Sequence, residues 1–241
     1  MSRHSKWSKV KQFKGAIDAK RSASFTKLAR EITVAAREKG ADPNMNARLR
    51  VAIQRAREGS MPKDNIERAI QRGAGVGAEG LQLETLMYEA YAPGGTALIV
   101  ECLTDNRNRT ANEVKHALSK GGATLAASGS VTYLFDHFGV VRLKEPFAVG
   151  RRDEIELALI DAGTSNITDQ EGGEEIQCAP NDLAKVADAA TKLGLNLESA
   201  DMEWIPKSTV DTDEATGTRV AELMETLEEN DDVSRVFSNL A

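Results

Sequence analysis

The chain has 241 residues, 31 of them Lys or Arg and 37 Asp or Glu, for a formal net charge of −6, and it is 41% hydrophobic and 28% charged. This is the balance of a globular protein of one to three domains; it excludes a disordered tail, and the longest apolar run, around Ala97 to Cys102, is strand-sized and far short of the roughly 18 residues of a membrane span. Cys102 and Cys178 lie far apart without C-x-x-C spacing, which does not suggest a disulfide framework or zinc site and reads as two buried reduced thiols.

The charge is unevenly spread. Residues 1–73 hold 18 basic and 7 acidic side chains, a net +11, and the remainder sums to −17. A split of this size draws the first segment to a polyanion and repels the second from it. The plain alternative is a solvated basic face.

The first 21 residues, with Lys6, Lys9, Lys11, Lys14, Lys20 and Arg21, have too little apolar surface for a core and read as a basic arm. Trp7 and Phe13 either stack on bases or fold back on the body. From Ser22, Phe25, Leu28, Ala29, Ile32 and Ala36 recur at helical spacing up to Gly40, a natural stop. A second helix runs to about Glu58 with Leu49, Ala52, Ile53 and Ala56 on one face, Arg48 and Arg55 on one edge of it, and Arg50 and Arg57 on the other. After Gly59-Ser60, a third helix begins near Pro62 and closes at Gly73, with Ile66, Ala69 and Ile70 inward and Arg68 and Arg72 outward. The run Gly73 to Gly80 contains a formal G-x-G-x-x-G, but a helix precedes it and no clear helix follows, so it reads as a linker rather than a dinucleotide site.

Beyond the linker the period changes to two. Thr85 to Tyr91 and Thr96 to Leu103 predict a hairpin closed by Ala92-Pro93-Gly94-Gly95. A polar loop, Asp105 to Arg109, precedes a helix that Thr110 and Glu113 would cap, ending at Gly121-Gly122. Strands follow at Val131 to Phe135 and Val140 to Leu143, then a helix from Asp153 to Ala162, strands near Ser165 to Thr168 and Glu175 to Cys178, a helix from Asn181 to Leu193 and a strand from Leu197 to Trp204. From Val140 the order is β-α-β-β-α-β, that of a ferredoxin-like sandwich. Thr218 to Glu229 reads as a helix and Val233 to Phe237 as a last strand, which complete the earlier sheet. The expected class is α+β: an N-terminal three-helix module followed by two ferredoxin-like α/β domains, one inserted in the other. The domains are a basic arm at 1–21, a helical domain at 22–74, an α/β domain from 80–129 plus 207–241, and an inserted one at 130–206.

Catalysis finds no foothold. His4, His116 and His137 share no metal-ligand spacing, and no nucleophile elbow, zincin motif or phosphate-binding loop occurs, so no enzyme, metal or cofactor is expected. The acid runs Glu171 to Glu175 and Glu225 to Asp232 read as solvated faces, and Tyr88, Tyr91, Tyr133 and Phe135 as core at strand spacing. Arg107 and Arg109, beside a helix N-terminus, suit a phosphate or carboxylate; equally, Asp105 pairs with one of them and holds the turn.

Several long words resemble the YebC/PmpR family. His4-Ser5-Lys6-Trp7, Ala19-Lys20-Arg21, Phe25-Thr26-Lys27, Asn46-Ala47-Arg48-Leu49-Arg50 and Met61-Pro62-Lys63-Asp64-Asn65-Ile66 resemble its N-terminal domain. Tyr88 to Thr96 and Glu101 to Thr110 resemble its central signature, with Ala90 and Ala92 as small replacements for the usual glycines, and Gly129-Ser130-Val131 resembles the start of its third domain. The resemblance implies three domains and a cytoplasmic regulator of gene expression. Family members are described as DNA-binding transcriptional regulators, mitochondrial relatives as translational activators, and bacterial relatives have been linked to the ribosome. The expected partner is therefore DNA, with ribosomal RNA as the alternative, met by a monomer that engages no membrane and no small-molecule substrate. The expected contacts are Lys6, Trp7, Lys9, Lys11, Lys14, Lys20, Arg21, Lys27, Arg30, Arg48, Arg50, Arg55, Arg57, Arg107 and Arg109.

Overall fold

The computed structural model describes residues 25–75, 84–170 and 172–241. The basic arm and most of the glycine-rich linker lie outside them. Three helices come first: α1 (Phe25–Lys39), α2 (Ala47–Glu58) and α3 (Lys63–Gly73). They are followed by β1 (Glu84–Ala92), β2 (Thr96–Thr104), α4 (Arg107–Lys120) and β3 (Thr124–Leu125). A second series comprises β4 (Phe135–Leu143), α5 (Arg152–Asp161), β5 (Thr164–Gln170), β6 (Gly173–Cys178), α6 (Leu183–Lys192) and β7 (Leu197–Pro206). The last two elements are α7 (Glu214–Glu229) and β8 (Val233–Ser238). The described residues divide into two compact units, one taking in 25–30, 84–136 and 204–241, the other 31–75, 137–170 and 172–203.

The first unit is built on a sheet of order β3-β1-β2-β8. β2 is its centre because Ala97, Leu98, Ile99 and Val100 are all fully buried, so both faces of the strand need cover. On one face Leu98, Val100 and Cys102 meet Val114 and Leu118 of α4 and Val220, Leu223, Met224 and Leu227 of α7. On the other, Ala97 and Ile99 meet Val131 and Phe135, with Trp204 and Phe237 packed against them. Each Val, Leu, Ile, Met or Phe among them contributes about 1.5–3 kcal/mol relative to exposure. The β1–β2 hairpin pairs Glu84 with Thr104 through Ala92 with Thr96. Its turn uses Gly94 at φ 75° and Gly95 at φ 76°, a conformation other residues reach only with strain.

Of the strand expected at Val131 to Phe135, only Phe135 is in a strand, as the first residue of β4. Glu89, 2% exposed, reaches from β1 and accepts hydrogen bonds from the backbone N–H groups of Gly129 (2.6 Å), Val131 and Thr132 (2.9 Å). Those donors are thereby withdrawn from any ladder, and residues Thr132–Leu134 form a single 3-10 turn that leads into β4. The short strand β3, too brief to show a period, pairs Ala90 with Leu125 and Tyr91 with Thr124.

In the second unit, the sheet has order β5-β6-β4-β7, the β-α-β-β-α-β arrangement the sequence predicts. The first sheet reaches the same layers, helices over four antiparallel strands, through a different chain order. Val141, Leu143 and Ile176 form the core with Ile155 and Leu159 of α5 and Leu183, Val186, Ala187 and Ala190 of α6. Ala47 and Val51 of α2 also join this core, so α2 buries a second side besides the stripe of Leu49, Ala52, Ile53 and Ala56. The corner between α1 and α2 is held by Asn46, 1% exposed, whose side chain accepts from Leu49 N–H (3.0 Å) and donates to the carbonyls of Ala35 (2.8 Å) and Gly40 (2.9 Å). α3 closes against α1 at Gly73, where a β-carbon would stand 2.4 Å from the Thr33 carbonyl oxygen.

Burial raises the pKa of the Glu89 carboxyl, and the three backbone donors outweigh it, leaving the group below its ordinary value. Stability from this group is therefore present above the ordinary carboxylate range and is lost as pH falls through the depressed value. Glu89→Gln should cost about 2 kcal/mol in urea unfolding at neutral pH, and the deficit should shrink on acidification.

Candidate nucleic-acid interface

Eight of the fifteen expected contact residues fall on described residues; Lys6, Trp7, Lys9, Lys11, Lys14, Lys20 and Arg21 lie outside them. Six of the eight have partners within the protein. In the first unit, Lys27 donates to the Glu228 carbonyl and the Arg30 Nη2 meets Asp232 Oδ1 at 3.2 Å. Arg109 donates to Asp232 Oδ2 through Nη2 (2.8 Å) and Nε (3.3 Å), and to Asp105 (2.9 Å). In the second, Arg48 bridges Asp201 (2.8 Å) and Glu38, Arg50 meets Asp188 (3.0 Å) and the Pro43 carbonyl (3.1 Å), and Arg55 meets Glu31 (2.5 Å). Arg57 on α2 and Arg107 on α4 are exposed with no partner among the described residues.

The structure thus brings Arg30 and Arg109 together on one carboxylate. Asp232 is 4% exposed, although it ends an acid run that reads as a solvated face. Its Oδ2 also accepts from the hydroxyls of Thr110 (2.7 Å) and Thr104 (3.2 Å). Burial alone would raise the Asp232 pKa; the hydrogen bonds of Arg109 and Thr110 and the charges of Arg109 and Arg30 overcome that and hold it below the ordinary range. The same bonds raise the pKa of Arg109, first through Asp232 and then through Asp105.

Helix α4 starts three residues before Thr110, and this explains the cluster. Asn106, not Thr110, is the cap, its side chain accepting from Arg109 N–H at 3.1 Å. Arg107 and Arg109 therefore sit in the first helical turn rather than in a loop, and Thr110 turns inward to Asp232. Of the two readings of this stretch, the structural one describes Arg109, while Arg107 remains at the surface.

Two further cations lie on α3. Arg72 is exposed with no partner among the described residues, and Arg68 is exposed with hydrogen bonds only to its own helix, at Asn65 (3.0 Å) and the Asp64 carbonyl (3.2 Å). Their four-residue spacing on an outward face was the signal for them, weaker than the denser arginines of α2. Chemistry of another kind finds little support in the cysteines, since burial pushes Cys102 up to about 12 and Cys178 up to about 11 and keeps both protonated. Among the described residues no group of three or more His, Cys, Asp or Glu is placed to hold a metal ion, and no helix is long and apolar enough to cross a membrane.

Comparison with known proteins gives consistent matches along the whole chain. Residues 5–76 match the model of the TACO1/YebC protein N-terminal domain, and residues 83–240 that of the TACO1/YebC second and third domain. A "probable transcriptional regulatory protein" of Thermobifida fusca is 46% identical over 239 residues, covering 99% of this chain and 95% of the relative. One of the same name from Persephonella marina is 46% identical over 241 residues, with the same coverage. The crystal structure of a conserved hypothetical protein from Aquifex aeolicus is similar with a TM-score of 0.78 at 42% identity, covering 92% of each chain.

The paired and unpaired arginines should part company on substitution. Arg48→Ala removes the guanidinium from Asp201, which is 4% exposed, and should cost about 3 kcal/mol in chemical denaturation. Arg57→Ala, at an exposed site with no partner among the described residues, should change stability by no more than about 0.5 kcal/mol.

Proposed function

The chain belongs to the TACO1/YebC family, and on that premise we propose that it is a non-enzymatic, nucleic-acid-binding regulator of gene expression that acts on DNA as a transcriptional regulator. The observation that carries this reading is the segregation of charge: +11 over residues 1–73 in a chain that is otherwise strongly acidic. The names of the relatives support a regulatory role. The exposed Arg57 and Arg72 support phosphate contact from α2 and α3, because a surface guanidinium with no partner among the described residues keeps its fork for bidentate binding, and the exposed Arg68, bonded within its own helix, adds a third cation. Lys6, Lys9, Lys11, Lys14, Lys20 and Arg21 of the arm add six cations, with Trp7 available for stacking. Arg107 is a further contact from α4.

The protein works in this reading as a cytoplasmic monomer without a cofactor. Backbone contacts of this kind position a duplex and carry no sequence information, so readout of particular bases falls to groups other than these arginines.

The test is the salt dependence of binding to a DNA duplex. Six arm cations on phosphates contribute about −5 to the log–log slope, and removing residues 1–21 should flatten the slope by that amount. Replacing Arg57, Arg68 and Arg72 with Gln should flatten the remaining slope by roughly 3. A salt-independent affinity would sink electrostatic binding. Tighter binding to structured RNA than to duplex DNA at the same salt would replace DNA by RNA as the target.

A further inference from the structure

Lys27 and Arg30 are three residues apart on α1 and are both engaged by the segment that joins α7 to β8. Lys27 meets the Glu228 carbonyl in the last turn of α7, the negative end of that helix. Arg30 meets Asp232 a few residues on. The intervening chain, Glu228-Glu229-Asn230-Asp231-Asp232, is as dense in negative charge as a stretch of phosphodiester backbone.

The two sides of the Arg30–Asp232 contact are unequally served. Asp232 is anchored through Oδ2 by Arg109, Thr110 and Thr104, and these bonds do not involve Arg30. Its Oδ1 receives Arg30 through a single contact at 3.2 Å, the long end of the hydrogen-bond range. Arg30 gives up more than it receives: its Nη1 is buried with no partner among the described residues. Burial lowers the Arg30 pKa despite the opposing charge of Asp232. If Arg30 leaves, Asp232 keeps its other donors; while Arg30 stays, one of its nitrogens goes unsatisfied.

We propose that this contact is a releasable self-inhibitory clasp, in which the Glu228–Asp232 segment occupies Lys27 and Arg30 in the manner of a nucleic-acid backbone until a real one displaces it. The proposal rests on the nucleic-acid reading above. A phosphate group offers Arg30 two oxygens in place of one and leaves the guanidinium at a solvated surface, which favours exchange once a polyanion is near. The clasp makes binding competitive with an internal acid, so weak or isolated anions fail to open it. Lys27 and Arg30 thereby become contacts of the bound state only.

Two measurements test it. In the native full-length protein with uniform carbon-13 labelling, the side-chain carboxyl signal of Asp232 should shift when a short DNA duplex is added to saturation. Asp232→Asn keeps an oxygen for Thr104 and Thr110 while removing the charge that holds Arg30. It should bind the same duplex ~5-fold more tightly, as expected when the open form rises from a minority to the majority. Duplex binding with an unmoved Asp232 signal overturns the clasp alone, and so does a folded Asp232→Asn protein whose affinity is unchanged or weaker. If the native protein binds no duplex at any salt concentration, both the clasp and the nucleic-acid reading fall. The native measurement stands whether or not the variant folds.

Discussion

A carboxylate taken out of water must recover its lost donors from the protein, and in the first unit that requirement falls on Asp232. Three elements meet its demand, Arg30 from α1, Thr104 from the end of β2, and Arg109 and Thr110 from the first turn of α4, around the approach to β8, whose backbone carries Asp232 itself. The Asp232 carbonyl also accepts from Leu103 N–H at 2.9 Å, fixing where the last strand joins the centre of the sheet. The side chain of one residue thus ties the first turn of α4 to the approach to β8, and its backbone ties that approach to β2. Glu89 plays a comparable part at the other end of the sheet, where it holds the turn at 129–132.

The basic character of the N-terminal part has two uses. Some of it is spent inside the protein: Arg48 and Arg50 bind acids contributed by β7 and α6, and Arg55 binds one on α1. These pairs differ in worth. Arg50 and Asp188 are both more than one third exposed, and such a pair contributes about 0–1 kcal/mol, whereas Asp201 is almost wholly buried beside Arg48. Others, Arg57, Arg68 and Arg72 among them, are held at the surface with no acidic partner from another element among the described residues. A count of cations therefore overstates the charge available to a ligand, and the exposed residues are the ones that matter for the salt slope.

The regular elements were legible because their periods are long. The alternation at Thr85 to Leu103, the helical stripe of α2 and the stop at Gly40 depend on local rules, and each is found where those rules put it. What could not be read is what long-range partners decide. Asp232 looks solvated within its acid run; its burial depends on Arg109, 123 positions away. The pairing of Arg48 with Asp201 spans 153 positions, so helical phase could place Arg48 at the edge of a buried face but not name what lay beyond that edge. The strand expected at Val131 failed for the same reason, since Glu89 takes its N–H from 42 residues upstream. The α4 cap was misread locally: Thr110 and Glu113 have the residue types of a capping box, and Asn106 competes with them from four residues earlier.

The chain order of the first sheet governs when it can form. β2 is flanked by β1, its immediate predecessor, and by β8, whose residues 233–238 pair with 98–102 only after the whole second series of strands and helices has been made. During synthesis, the hairpin and α4 emerge with one edge of β2 unpaired and with the α7 half of their apolar cover still to come. That interval exposes an apolar strand edge, the kind of surface that recruits other chains. The second unit has no such wait, because its last strand is complete by residue 206. The order of maturation thus runs against the order of the strands, with the later sheet finished first and the earlier one closed by the arrival of Asp232 and β8.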